Sequence, residues 1–228
     1  MAAKPGSAGG AAPPPAAPAP PPVLEKKTLA ESRFLRFVNV DYARPGDNAK
    51  SSWQYVERTT RRGDVDAVNI FAVLKKKDGN HQVLVVKQYR PPMGKHTIEL
   101  PAGLVDKDES PQTAALRELK EETGYVGTFI GATGQQALSP GLTNENMCVT
   151  AGGGAHRVTI FAEIDPELPE NKNPKQSKED RKMGITREWL PLKNLHHTLA
   201  AYEAQGWGVF AGLYAVAHGF YLRERLGL

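Results

Sequence analysis

The 228-residue chain has a single cysteine, Cys148. One thiol excludes an internal disulfide and any zinc site built from several cysteines, and it fits a reducing compartment. Cys148 itself reads as a small buried apolar residue of a strand. Long apolar runs are lacking too: nothing approaches the ~20 residues that a bilayer-spanning helix needs, so no membrane span is expected. Charge of one sign is scarce. A net +4, spread along the chain, is too little and too dispersed to argue for a nucleic-acid surface, although it suits an anionic small molecule. The first 24 residues, MAAKPGSAGGAAPPPAAPAPPPVL, hold almost nothing but Ala, Pro and Gly. They cannot bury a core, so residues 1–28 are expected to form a disordered tail. Its prolines interrupt any continuous apolar signal centre, and Lys4 alone does not make an amphipathic transit helix. The expected address is cytoplasmic, with the nucleus open.

Beyond the tail, 40% hydrophobic and 24% charged residues give the balance of a globular protein, long enough for one domain with an appendage. FLRFVNVDYA and WQYVERTTR alternate, are rich in aromatic and β-branched residues, and flank the turn-forming RPGDNAKSS. They predict an antiparallel pair within residues 29–62. DAVNIFAVLKKK and HQVLVVKQYR, joined by DGN, predict a hairpin at the start of a main domain over 63–228. KHTIELPAG, NMCVT, HRVTIFAEI and ITREWLPL read as further strands, residues 166–182 as a polar, mobile loop, and 192–205 and 208–226 as helices. The order strands, helix, strands, helices predicts an α+β fold with mixed sheets.

The segment GLVDKDESPQTAALRELKEETGY carries clear helix punctuation: Ser110 can cap, Pro111 suits the first turn, and Gly124 suits a left-handed stop. At helical spacing Ala115, Leu116 and Leu119 share one side, while Glu118, Glu121 and Glu122 cluster on another. Like charges at such spacing cost about 0.2–0.5 kcal/mol per pair on a solvated helix. Two readings are open for the helix alone: a solvated charged face, or a set of hard oxygen ligands for Mg²⁺ or Mn²⁺. Arg117, four residues before Glu121, can hold that carboxylate in orientation.

The full spacing decides between them. Gly103, five residues, Glu109, seven residues, then Arg117-Glu118-Leu119-Lys120-Glu121-Glu122-Thr123-Gly124 resembles the box of the Nudix hydrolase family; only Tyr125, where an aliphatic residue is usual, departs from it. The resemblance implies a Nudix fold, with mixed β-sheets sandwiched between helices, and metal-assisted attack of water on a nucleoside diphosphate. It implies Glu118 and Glu122 as metal ligands, Glu121 as ligand or helper, Arg117 as their orienter, and the Ala102 carbonyl as a further ligand. Pro140, fifteen residues after Tyr125, and the blocks WQYVERTTR, VKQYRPPMG and IELPAGLVD are similar to the ADP-ribose (ADP-sugar) pyrophosphatase branch. Read by themselves, Pro140-Gly141 could be only a turn and Trp53 only core. On the resemblance, Trp53 is implied to stack on adenine, Phe34 to supply a second ring, and Arg58 and Arg90 to grip phosphate or terminal ribose. The N-terminal strands are implied to exchange across a homodimer, with Phe34 and Trp53 from different subunits. The branch takes one more acid from a loop before the last sheet strand, and here that position falls near Lys182-Met183. Glu179, with Asp180 beside it, is the first candidate and Glu145 the second. UDP-glucose or NADH as substrate, and a non-catalytic nucleotide-binding module, are the alternatives.

Overall fold

The structure, a computed structural model, describes residues 16–60, 65–134, 139–143 and 156–227. NMCVT, Cys148 and Glu145 lie outside the described residues. Among the described residues there are two sheets and five α-helices. Strands β1 (Val23–Glu31), β2 (Leu35–Ala43) and β3 (Lys50–Arg58) form an antiparallel three-stranded sheet. The first strand thus begins at Val23, inside the stretch assigned to the tail. Its own sequence supplies the reason: from Val23 the prolines stop, and VLEKKTLAE is free to pair. This sheet has little apolar core. Val38 is buried, but so is Glu57, which takes ion pairs from Lys26 and Arg36 at 3.0 Å each.

The main sheet is built on β4 (Val65–Leu74) and β5 (Gln82–Arg90), followed by β6 (Lys95–Glu99) and β7 (Ala102–Leu104). After helix α1 (Pro111–Thr123) come β8 (Thr128–Ala132) and β9 (His156–Ile164). Then follow α2 (Pro169–Lys172), α3 (Lys178–Lys182), β10 (Thr186–Pro191), α4 (Leu195–Ala204), the short β11 (Gly208–Val209) and α5 (Ala211–Leu226). The hairpin expected between β4 and β5 is only a junction: Val73 pairs with Val83 and Leu74 with Gln82, and then the strands part. β4 continues in parallel with β9 along its whole length, and β5 pairs antiparallel with β6 and β10. The sheet is therefore mixed.

Alternation along β4 explains the two layers. Val68, Ile70 and Ala72 point to one face, where they pack with Ala114, Ala115 and Leu119 of α1 and with Ile160, Ala162 and Ile164 of β9. Phe71 points to the other face, with Val83, Val85 and Ile98 beneath Leu195 and Leu199 of α4 and Leu213 and Ala217 of α5. A strand covered on both sides reads as a near-continuous apolar run, as DAVNIFAVL does apart from the buried Asp66 and Asn69. The fold is α+β, with mixed sheets between helices as expected.

Two segments differ from the sequence expectation. β8 was not foreseen: TFIGA is a short edge strand with a register shift at Gly131, too brief to show a period. The stretch 166–182, expected as a polar mobile loop, holds two short helices. Asn171 is buried; its side chain donates to the carbonyls of Val126 and Asp165 and accepts from the Val126 amide. Such side-chain bonds give a polar segment a fixed shape without apolar burial.

The core assignment yields a graded expectation. Leu119→Ala, which empties a fully buried position, should cost about 2–5 kcal/mol in urea unfolding, whereas Leu226→Ala at the exposed end of α5 should stay within about 0.5 kcal/mol. Equal effects would contradict the layer arrangement.

Candidate active site

Helix α1 is set by its ends. The Ser110 hydroxyl accepts from the Thr113 amide at 3.1 Å, Pro111 opens the first turn, and Gly124 closes the last at φ 78°, its N–H donating to Lys120 O at 2.8 Å. With Ala114, Ala115 and Leu119 against the sheet, Arg117, Glu118, Glu121 and Glu122 fall beside β7. Leu116 is only half-buried.

Arg117 ties the cluster together. Its Nε and Nη2 donate to the two oxygens of Glu109 at 3.0 and 2.9 Å, and Nη2 also reaches the Leu104 carbonyl at 3.0 Å. Nη1 donates to Glu118 at 2.7 Å and to Glu121 at 3.0 Å. The pairing with Glu121 was expected; the two-point clasp on Glu109 gives that box position its purpose and holds the Glu109 carboxyl below its ordinary pKa.

Glu118 lies against Gly103 so closely that a Cβ there would stand 1.9 Å from the Glu118 carboxyl carbon. Only glycine leaves room for the carboxylate. Glu122 is 7% exposed and takes one hydrogen bond, from the Ala102 amide at 2.9 Å. The Ala102 N–H thus anchors a glutamate of the site. Burial pushes the Glu122 carboxyl up to about 8; the Ala102 bond opposes this, and the charges of Glu118, Asp180 and Glu99 add to it. Glu118 is raised as well, by burial first, with Arg117 opposing and Glu121 and Asp180 adding. Glu121 is exposed.

The loop acid that meets this cluster is Asp180. Its carboxylate is half-buried, accepts from the Ser177 hydroxyl at 2.6 Å, and acts on both Glu118 and Glu122, while Glu179 is exposed. The sequence ranking placed Glu179 first, because position in a loop does not tell which neighbour faces inward; the Ser177 cap of α3 decides that. Glu99 is a second acid that sequence reasoning passed over, although it stands in the same IELPAG block as Ala102. Arg90 clasps it at 2.8 and 2.6 Å and lies within the field of Glu122, so Arg90 is at the site.

The remaining candidates lie farther out. Arg58 pairs with the buried Asp66 at 3.2 Å. Trp53, half-exposed, donates from its indole to the Gly141 carbonyl at 3.1 Å, and Val56 bonds Leu142 at 2.9 Å. The segment after Pro140 is thereby drawn onto β3. Phe34 is exposed, with the Arg33 guanidinium over its ring at 4.8 Å, and its carbonyl meets Thr59. Trp53 is opposite Val40, so the two rings are six positions apart along the ribbon, roughly 20 Å.

Hard oxygen donors on α1, with Asp180 and Glu99 near, suit a hard divalent cation. Among the described residues no three acids or histidines already form a closed cage.

Comparison with known proteins agrees with this geometry. A NUDIX domain model matches residues 65–209. An uncharacterized Nudix hydrolase of Schizosaccharomyces pombe is 44% identical over 74% of this chain and 77% of its own length. An ADP-ribose pyrophosphatase of Saccharomyces cerevisiae is 34% identical over 87% of this chain and 82% of its own, and an ADP-sugar pyrophosphatase of Mus musculus 38% over 60% of each. A crystal structure of an ADP compounds hydrolase superimposes with a TM-score of 0.52 at 19% identity, over 82% of this chain and 86% of that one, which is a likeness of fold.

The raised Glu122 carboxyl has a stability consequence with a definite sign. Below about pH 4.5 both folded and unfolded chains hold the proton; above it only the folded chain does, up to about 8. Metal-free protein should therefore lose stability as pH rises through that window. Thermal midpoints of chelator-treated protein should fall from pH 5 to 8, and Glu122→Gln should flatten the fall. An unchanged slope in that variant would refute the burial argument.

Proposed function

The chain belongs to the Nudix hydrolase family, and on that premise we propose that it hydrolyses the diphosphate bond of ADP-ribose and related ADP-sugars to AMP and ribose 5-phosphate. The observation that carries the reading is the pair of carboxylates Glu118 and Glu122, both raised by burial and both set against strand β7, Glu118 at Gly103 and Glu122 on the Ala102 amide. Nudix hydrolases depend on a divalent metal, and Mg²⁺ is the fitting one, with Mn²⁺ as a substitute. Glu118 and Glu122 would hold it, with Glu121 beside them. When bound, it neutralises charge on the diphosphate and acidifies water.

The chain's own residues do the rest. Arg117 keeps Glu118 and Glu121 aimed, and the Ala102 amide keeps Glu122 in place. Asp180 is the acid that orients the attacking water, held by Ser177. Arg90 exchanges part of its clasp on Glu99 for a phosphate oxygen, being a forked donor with its side chain 45% exposed. One water is added across one P–O bond, and each phosphoryl group leaves on its own product.

Trp53 offers the face for adenine. The names of the yeast and mouse relatives support an ADP-linked substrate. Because Phe34 and Trp53 stand far apart on one ribbon, a single base cannot meet both from one chain. A homodimer with exchanged N-terminal strands would bring them together, and it would cover β1, which is exposed along its whole length. Among the described residues no helix is long and apolar enough to cross a membrane; with one cysteine, the cytoplasm is the fitting compartment.

Three measurements test the reading. Glu122→Gln should lower Mg²⁺-dependent AMP release from ADP-ribose by about 10²-fold or more, since metal polarisation contributes several kcal/mol. Trp53→Ala should raise KM about tenfold or more, as base stacking is worth ~1–3 kcal/mol. Across ADP-ribose, other ADP-sugars, UDP-glucose and NADH, the ADP-sugars should be cleaved best. Preference for UDP-glucose would contradict the role of Trp53, and nucleotide binding without turnover would make the chain a binding module.

A further inference from the structure

The segment that carries Asp180 is fastened to the end of α1 by contacts between the last box residues and residues beyond the box. Ser177 N donates to the Glu121 carbonyl at 2.8 Å, and a Cβ on Gly124 would stand 2.4 Å from the Lys175 nitrogen. Arg187 of β10 joins the two pieces: Nη2 donates to the Pro174 carbonyl at 3.2 Å and Nη1 to the Thr123 carbonyl. A cation is favourable at the helix-end carbonyl of Thr123. The guanidinium is itself seated on a ring, with Cζ 5.3 Å from the centroid of Tyr125. That ring is fixed in turn by Trp189, which meets it edge-on at 5.2 Å and donates from its indole to the Tyr125 hydroxyl at 3.1 Å.

Tyr125 is the one box position where this sequence departs from the usual aliphatic residue. An aliphatic side chain offers neither a face for the guanidinium nor an acceptor for Trp189. We propose that Tyr125 and Arg187 form a latch that holds the Pro174–Lys182 segment on α1, and that both are positioning residues for Asp180. The path is continuous: Tyr125 seats Arg187, Arg187 fixes Pro174, and the chain from Pro174 enters the Ser177 turn. That turn grips Asp180 through the Ser177 hydroxyl at 2.6 Å and the Asp180 amide at 3.0 Å. The far side closes where Gln176 donates to the Ile185 carbonyl and the Ile185 amide to that of Asp180, at 2.9 and 3.1 Å. This inference rests on the reading of Asp180 as the water-orienting acid.

The test combines hydrogen exchange with kinetics on the full chain. Arg187→Ala and Tyr125→Leu should speed amide exchange in peptides covering 173–182. Both should lower kcat for ADP-ribose about tenfold with KM within about twofold, because a displacement near 1 Å can cost up to 10² in rate. In an Asp180→Asn background the same changes should lower kcat no further, a non-additivity that a purely structural cap would not give. Tyr125→Phe, which keeps the ring, should fall less than Tyr125→Leu, and Arg187→Lys serves if Arg187→Ala does not fold. Unchanged exchange at 173–182, or an equal fold-loss of kcat in both backgrounds, would overturn the latch. Wild-type protein that does not cleave ADP-ribose would contradict the proposed function alone, and the exchange result would then decide the latch.

Discussion

Arg117 has five N–H donors, and all five are used: two on Glu109, one each on Glu118 and Glu121, and one on the Leu104 carbonyl. Its planar fork joins three elements, the loop before α1, the helix itself and the end of β7. A lysine could supply the charge but not this geometry. Without that guanidinium, Glu118 would stand half-buried beside Glu121, and both would lose their ion pair with Arg117. Everything else in the site is arranged around the constraint that several carboxylates share one crowded space, with Glu122 buried, Glu118 half-buried and Glu121 exposed.

The space is narrow because of two close approaches. Gly103 lets β7 run directly beneath Glu118, and Gly124 lets the returning chain at Pro174–Lys175 touch the end of α1. Arg117 answers Glu118, Glu121 and Glu109, but it does not reach Glu122. That carboxyl has a single amide and three like charges for neighbours, so burial keeps its proton on at neutral pH. A hard cation held by Glu118 and Glu122 would favour their ionised forms and so offset this repulsion. The protein holds this tension because α1 is packed firmly on the sheet, with Leu119 and Ala115 fully buried there.

Much of this was legible in the residues. The boundaries of α1 followed from Ser110, Pro111 and Gly124, because caps are local chemistry. β4 and β9 followed from their apolar runs, and the α+β order from the succession of elements. The glutamate cluster was legible only once Gly103 and Glu109 were counted with it. What escaped were facts that depend on distant partners. The DGN turn was visible, but not that β4 keeps β5 for only two pairs, takes β7 on the rest of that edge and pairs with the distant β9 along the other. Asp180 and Glu179 are adjacent in sequence, and only the cap at Ser177 separates their directions. Glu99 was hidden in a strand beside a residue chosen for its backbone. Val23–Glu31 escaped because a strand that is exposed throughout carries no apolar period. Arg58 was legible as a forked donor but not as the partner of Asp66.

The central claim is that Glu122 keeps a proton by burial until a divalent cation displaces it. Calorimetric titration of Mg²⁺ into the protein at pH 7, in buffers of different ionisation enthalpy, counts the protons released. The account predicts release approaching one proton per site in the wild type and none from that position in Glu122→Gln. Mg²⁺ binding with no proton release in the wild type would contradict it.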